Sequence, residues 1–113
     1  MFKIYHNPRC KKSRAGLAYL ESKVDNFEIV KYLDDTLSSD QLKSLIDKTG
    51  KKPIEIIRKQ EDYFKKNMKG KELSDNELIK EMAANPKLIA RPIVEMGNKA
   101  VLAEPPEEID KLL

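Results

Sequence analysis

Apolar residues are spaced along this chain in two rhythms. Phe2-Lys3-Ile4-Tyr5 and Phe27-Glu28-Ile29-Val30-Lys31-Tyr32 are short runs with near-alternating character, which predicts strands. Between them, Ala15-Gly16-Leu17-Ala18-Tyr19-Leu20 predicts a helix. Strand, helix and strand within the first 32 residues make a βαβ unit. Its strands are expected to run parallel, joined by a right-handed crossover. The turn after the first strand then lies at the carboxyl edge of the sheet, where open α/β sheets bind their ligands.

The rhythm changes in the middle of the chain. Ser38 and Gln41 form a capping box ahead of Leu42, Leu45 and Ile46, and Gly50 is a stop signal. Pro53 can open a further helix carrying Ile54, Ile57 and Arg58. The stretch from Gln60 to Glu72 is rich in Lys and Glu and is expected to be a solvated face or loop. Ser74 and Glu77 form a second capping box before Leu78, Ile79 and Met82, and Asn85-Pro86 ends that helix. Two more strands, Ile93-Val94-Glu95-Met96 and Lys99-Ala100-Val101-Leu102, flank the hairpin turn Gly97-Asn98. Glu104-Pro105-Pro106 breaks the last strand. Glu107 to Leu113 is expected to form a short final helix with Ile109, Leu112 and Leu113 turned inwards. The order β-α-β, helices, β-β-α predicts a single α/β domain over residues 1–113, with a helical insertion between the halves of a mixed four-stranded sheet.

Composition narrows the class. Charged residues make up 36% of the 113 and aromatics 6%, with no Trp, which suits a helix-rich domain with a modest core. A net charge of +3, from 22 basic and 19 acidic residues, is too mild to make nucleic acid the expected partner. No apolar run approaches the roughly 20 residues that span a bilayer. No signal peptide is visible, because the N-terminus is strand-like and soon polar. The single cysteine precludes an internal disulfide, and one Cys with one His cannot supply a zinc site. No bound cofactor is expected. A free reactive thiol is best kept in a reducing compartment, so a cytoplasmic monomer is expected.

The chemistry gathers in His6-Asn7-Pro8-Arg9-Cys10-Lys11-Lys12-Ser13-Arg14, which contains the only histidine and the only cysteine. A strand, a proline turn and a helix would put Cys10 at a helix N-terminus. Unpaired N–H groups and the positive end of the helix dipole favour negative charge there, and the thiolate is the reactive form of cysteine. A structural cysteine usually sits among apolar neighbours, whereas Arg9, Lys11, Lys12 and Arg14 surround this one. His6 either orients the thiolate or satisfies the turn.

Two blocks carry a family likeness: Tyr5-His6-Asn7-Pro8-Arg9-Cys10-Lys11-Lys12-Ser13-Arg14 and Leu88-Ile89-Ala90-Arg91-Pro92-Ile93-Val94, with Arg58 between them. The chain resembles, nearly end to end, the arsenate reductases of the glutaredoxin-coupled ArsC type and their relatives, the Spx regulators. The resemblance implies a thioredoxin-like, glutaredoxin-type fold. It implies a reductase in which Cys10 attacks the arsenic of a bound arsenate, glutathione acts as co-substrate, and glutaredoxin helps to discharge the adduct. His6 would activate the thiolate, and Ser13 would lie within reach of the anion or sulfur. Arg58 and Arg91 would bind the oxyanion, which their planar forks suit. Pro92 would follow a cis peptide bond and face the thiol. The family's Gly-Arg-Pro element is Ala103-Glu104-Pro105 here, which puts a carboxylate where a third arginine stands. At the pocket, Glu104 would pair with Arg58 or Arg91. Two other functions fit the same residues. One is an Spx-like regulator binding RNA polymerase, although Cys10-Lys11-Lys12-Ser13 cannot close the usual Cys-x-x-Cys switch. The other is a glutathione-binding monothiol protein without arsenate activity.

Overall fold

The computed structural model of the chain describes residues 1–113. Four strands, β1 (Phe2–Tyr5), β2 (Phe27–Val30), β3 (Ile93–Met96) and β4 (Lys99–Leu102), form one sheet in the order β2-β1-β3-β4. β1 pairs parallel with β2 and antiparallel with β3, and β3 pairs antiparallel with β4, so the sheet is mixed. In register, Ile4 stands opposite Ile29 on one side and Val94 on the other. β2 is shorter than its apolar run, ending at Val30. Tyr32 lies beyond the strand but remains buried.

Alternation along the strands divides the core between two faces. Ile4 and Val94 point to one side, where α1 (Lys11–Lys23) and the C-terminal 3₁₀ helix Pro106–Leu112 bring Leu20 and Ile109 against them. Ile93 and Ala100 point to the other, under the helical insertion. That insertion holds α2 (Ser39–Thr49), α3 (Pro53–Ile56), α4 (Asp62–Asn67) and α5 (Asp75–Ala84). α2 and α5 start as their capping boxes predict. Gln41 N–H donates to Ser38 Oγ at 3.1 Å and Glu77 N–H to Ser74 Oγ at 3.2 Å, while Gln41 and Glu77 side chains accept from the cap N–H groups. Gly50 ends α2 at φ 72°, a left-handed conformation that glycine adopts without a Cβ penalty. No helix is long and apolar enough to cross a membrane.

Three local expectations need correction. The stretch from Gln60 to Glu72 is not wholly a solvated loop. It contains α4, and Phe64 and Met68 both pack against the core, Met68 only 2% exposed. These two apolar residues are four apart, the spacing that puts them on one face of a helix, and the Lys/Glu composition hides them. α3 stops at Ile56, so Ile57 leaves it in extended backbone and Arg58 lies beyond it. The final element is a 3₁₀ helix that buries Ile109, whereas Leu113 is 59% exposed. With three residues per turn, such a helix cannot present Ile109, Leu112 and Leu113 to the same side.

Candidate active site

Cys10 is the N-cap of α1 and sits at the carboxyl edge of β1. The turn before it is closed by its own polar groups. Cys10 N–H donates to the Asn7 carbonyl at 3.0 Å, and Arg9 N–H donates to Asn7 Oδ1 at 3.0 Å. Arg14 reaches back to the Pro8 carbonyl at 3.0 Å. His6 N–H bonds the Val30 carbonyl at 2.9 Å, which ties the turn to the end of β2. The sulfur is therefore held by a braced turn and not by a free loop.

Burial is the largest influence on the Cys10 thiol and works against ionisation. The backbone N–H groups of Ser13 and Lys12 and the guanidinium of Arg91 outweigh it together, so the thiol ionises below its ordinary value. The Cys10 side chain closes no cap hydrogen bond. The first turn of α1 also holds no acidic residue, so nothing else neutralises those N–H groups.

His6 and Ser13 form a buried pair. His6 Nδ1 lies 2.6 Å from Ser13 Oγ, and Asn7 N–H donates to the same oxygen at 2.9 Å. The Ser13 side chain is thus engaged with the turn, while its backbone N–H serves the sulfur. Burial first, then the positive charges of Lys31 and Arg14, hold the His6 imidazole below its usual range, although the Ser13 hydrogen bond opposes them. At neutral pH His6 is uncharged, and it is linked to Cys10 through Ser13.

Arg58 and Arg91 flank a short piece of antiparallel pairing outside the main sheet. Ile57 and Ile89 form an isolated bridge, Arg58 N–H donates to the Leu88 carbonyl at 2.7 Å, and Ala90 N–H to the Ile56 carbonyl at 2.7 Å. Arg91 follows directly and joins Pro92 through a cis peptide bond. Pro92 packs on α1 so closely that a Cβ on Gly16 would stand 2.5 Å from its ring. Glycine is required there, and the contact seats Arg91 beside the helix that carries Cys10. The Nε atoms of both arginines are sealed from solvent and have no hydrogen-bond partner. Buried donors almost always have one, so these two N–H groups stand out, and of the two arginines it is Arg91 that acts on the Cys10 thiol.

Residues 5–112 match the ArsC family. The chain belongs to the ArsC family. Similar proteins include an arsenate reductase of Neisseria meningitidis, 37% identical over 98% of this chain and 97% of that one. An arsenate reductase of Haemophilus influenzae is 38% identical over 97% of each. The solved structure of an arsenate reductase from Vibrio cholerae superposes with a TM-score of 0.93 at 38% identity, covering 99% of this chain and 97% of that one. The thioredoxin-like fold expected for the family is the fold of this ArsC chain.

One contact of this ArsC protein differs from expectation. Glu104 pairs with Lys12, and Arg58 instead pairs with Glu61 at 2.8 Å. Lys12 lies on the first turn of α1, within ion-pair reach of the end of β4. Sequence reasoning also passed over Glu61 and Gly16. A lone glycine inside a helical run is a usable signal of close packing, and Gly16 is one. Glu61 carries no such signal, because it lies in the charged stretch read as solvated.

Proposed function

We propose that this ArsC chain reduces arsenate, with Cys10 as nucleophile and glutathione and glutaredoxin as the external reductants. The observation that carries this reading is the pair of buried, unpartnered Nε–H groups of Arg58 and Arg91, the second of which also acts on the Cys10 thiol. The Arg91 fork and the Arg58 Nε, with Arg58 Nη1 held by Glu61, suit a tetrahedral oxyanion, whose oxygens accept from several donors at once. The Cys10 thiolate attacks arsenic, forming an S–As bond as an oxygen leaves as water. A glutathione thiol displaces a second oxygen in the same way. Attack of a glutaredoxin thiol on the glutathione sulfur then leaves an electron pair on arsenic, reducing it from the +5 to the +3 state, and forms a mixed disulfide on glutaredoxin. Water finally releases arsenite and regenerates the Cys10 thiol. Arg58 and Arg91 hold the anion and its developing charge throughout. His6 positions the turn through Ser13.

A cleft supports the choice of reductant. About 430 Å³ in volume, it runs beside the Asn7–Arg9 turn and is lined by His6, Arg9, Lys31 and Lys87 with Asp34 as its only acid. None of these three cations is in a salt bridge, and glutathione carries two carboxylates that could use them. The reading is tested by following arsenite production with glutathione and glutaredoxin, in the native protein and in Arg91→Gln. Turnover that needs both reductants and falls in the variant is expected. Absence of turnover in the native protein under those conditions would end the proposal.

A further inference from the structure

Arg58 already carries a carboxylate, that of Glu61, whose Oε2 lies 2.8 Å from Arg58 Nη1. The backbone builds this pair. Arg58 N–H donates to the Leu88 carbonyl at 2.7 Å and Glu61 N–H to the Arg58 carbonyl at 3.3 Å, so a turn sets the two side chains three positions apart. The Glu61 carbonyl accepts from Lys65 N–H at 3.1 Å and opens α4, whose Phe64 packs against the core. Glu61 is the N-cap of that helix, yet its carboxylate caps none of the free N–H groups and lies on Arg58 instead.

The side chains of Arg58 and Glu61 are 19% and 24% exposed, against 60% and 42% for Lys12 and Glu104. The Glu61 charge is therefore screened much less than the one on Glu104. It also leaves part of the arginine free. In the planar guanidinium, Nη1 does not share an edge with Nε–H, and Arg58 Nε is sealed from solvent without a partner. Glu61 offsets the charge of Arg58 and leaves its Nε edge to a ligand. A cleft connects this pair with the Cys10 turn. Glu61 lines a cleft of about 410 Å³ that shares Pro86 and Lys87 with the one beside Asn7–Arg9.

We propose that Glu61 is a specificity-determining residue of the oxyanion site: a fixed counter-charge on Arg58 that makes the site prefer a singly charged tetrahedral oxyanion to a doubly charged one. The assignment rests on the oxyanion reading of Arg58 and Arg91. A fixed negative charge opposes a bound dianion twice as strongly as a monoanion in the same place. The preference suits the reaction. An oxygen that leaves arsenic as water needs protons, and the singly charged form of arsenate carries one more of them than the doubly charged form.

Glu61→Gln keeps the shape of the side chain and removes its charge. The probes are sulfate and perchlorate, an unreactive tetrahedral dianion and monoanion, measured by calorimetry at one pH and one ionic strength. The proteins are the native chain, Glu61→Gln, Arg58→Gln and Arg91→Gln. Glu61→Gln is expected to bind sulfate about tenfold more tightly and perchlorate about threefold, because the lost repulsion scales with the charge of the ligand. Comparing each anion with itself cancels the difference in their hydration. If Glu61 serves only to start α4 or to steady Arg58, both anions change by the same factor or neither changes, and that result overturns the assignment. If neither anion responds to Arg58→Gln or Arg91→Gln, the oxyanion reading fails and takes Glu61 with it. If the arginine variants lose binding while Glu61→Gln treats the two anions alike, only the role of Glu61 falls.

Discussion

Three helices of this chain begin after a residue that could cap them, and they begin differently. α2 and α5 start from Ser38 and Ser74, whose hydroxyls accept from the third backbone N–H while Gln41 and Glu77 close the box from the other side. Both carry acids in the first turn. α1 starts from Cys10, forms no side-chain cap bond and has no acid in its first turn. In α1 the serine that would complete a box, Ser13, turns its hydroxyl to His6 and Asn7 instead. A helix that only has to hold its place satisfies its own N-terminus. On the proposed function, α1 leaves its first N–H groups and its dipole for the thiolate and for what the thiolate would attack.

Exchanging the two kinds of start gives the largest effect. Cys10→Ser places a good cap at the start of α1 and removes the nucleophile. Arsenate turnover is expected to disappear, and the melting temperature to stay at or above the native value. Mass spectrometry after oxidised glutathione should find a single adduct on the native protein and none on the variant. Turnover that survives the substitution would place the nucleophile elsewhere.

pH breaks the start of α1 and spares that of α2, whose Ser38 and Gln41 do not titrate. Burial opposes the Cys10 thiolate, but the N–H groups of Ser13 and Lys12 and Arg91 prevail. Iodoacetamide alkylation should therefore show a midpoint below the free-cysteine value of about 8.5. Between the two values the native protein holds fewer protons than the unfolded chain. The stability this adds is complete above the unfolded value and is lost as pH falls through the native one. His6, also lowered, acts at more acid pH. Below its unfolded value near 6.5 the unfolded chain takes up a proton that native His6 refuses, so acidification costs further stability. A midpoint at or above 8.5 would mean that burial wins at Cys10.

The sequence carried the fold further than the site, for identifiable reasons. Strand alternation and the two capping boxes are local signals, and β1, β3, β4, α2 and α5 stand where those signals put them. α4 was missed because its two core-facing residues, Phe64 and Met68, lie in a run of Lys and Glu. Cys10 was legible from its neighbours in sequence. The partners of the charged groups were not: Lys12 with Glu104 is settled by packing between segments, and Arg58 with Glu61, three positions apart, forms across a turn that the charged composition did not reveal. Lys12 and Glu104 are 92 positions apart, and no periodicity reports such a pair.

A smaller effect tests the capped helices. Ser38→Ala removes one half of a box that touches nothing in the site. It should cost about 1 kcal/mol of stability, roughly 4–6 °C in melting temperature, by analogy with other serine caps. Arsenate KM and the Cys10 alkylation rate should be unchanged. A change in either would mean that the insertion and α1 are coupled, and that their starts do not differ as independent devices.

The smallest expected effect is at Glu104, and it sharpens the contrast. Its carboxylate holds Lys12 on the first turn of α1, so it draws one cation of that turn towards the end of β4. Both side chains are well exposed, and exposed pairs contribute little. Glu104→Arg releases Lys12, removes a negative charge from the rim and adds a positive one. Because Glu104 does not occupy the forks of Arg58 or Arg91, the substitution frees neither of them. The gain in sulfate affinity should therefore be about twofold to fivefold, the scale of a screened surface charge. It should fade as salt rises past the range where the Debye length falls below about 8 Å. Cys10 alkylation should quicken slightly, since the freed Lys12 adds to the field that favours the thiolate. A gain of a hundredfold that persists in high salt would place residue 104 in direct contact with the anion, and α1 would then depend on β4 for a part of its site that the present pairing assigns to its rim.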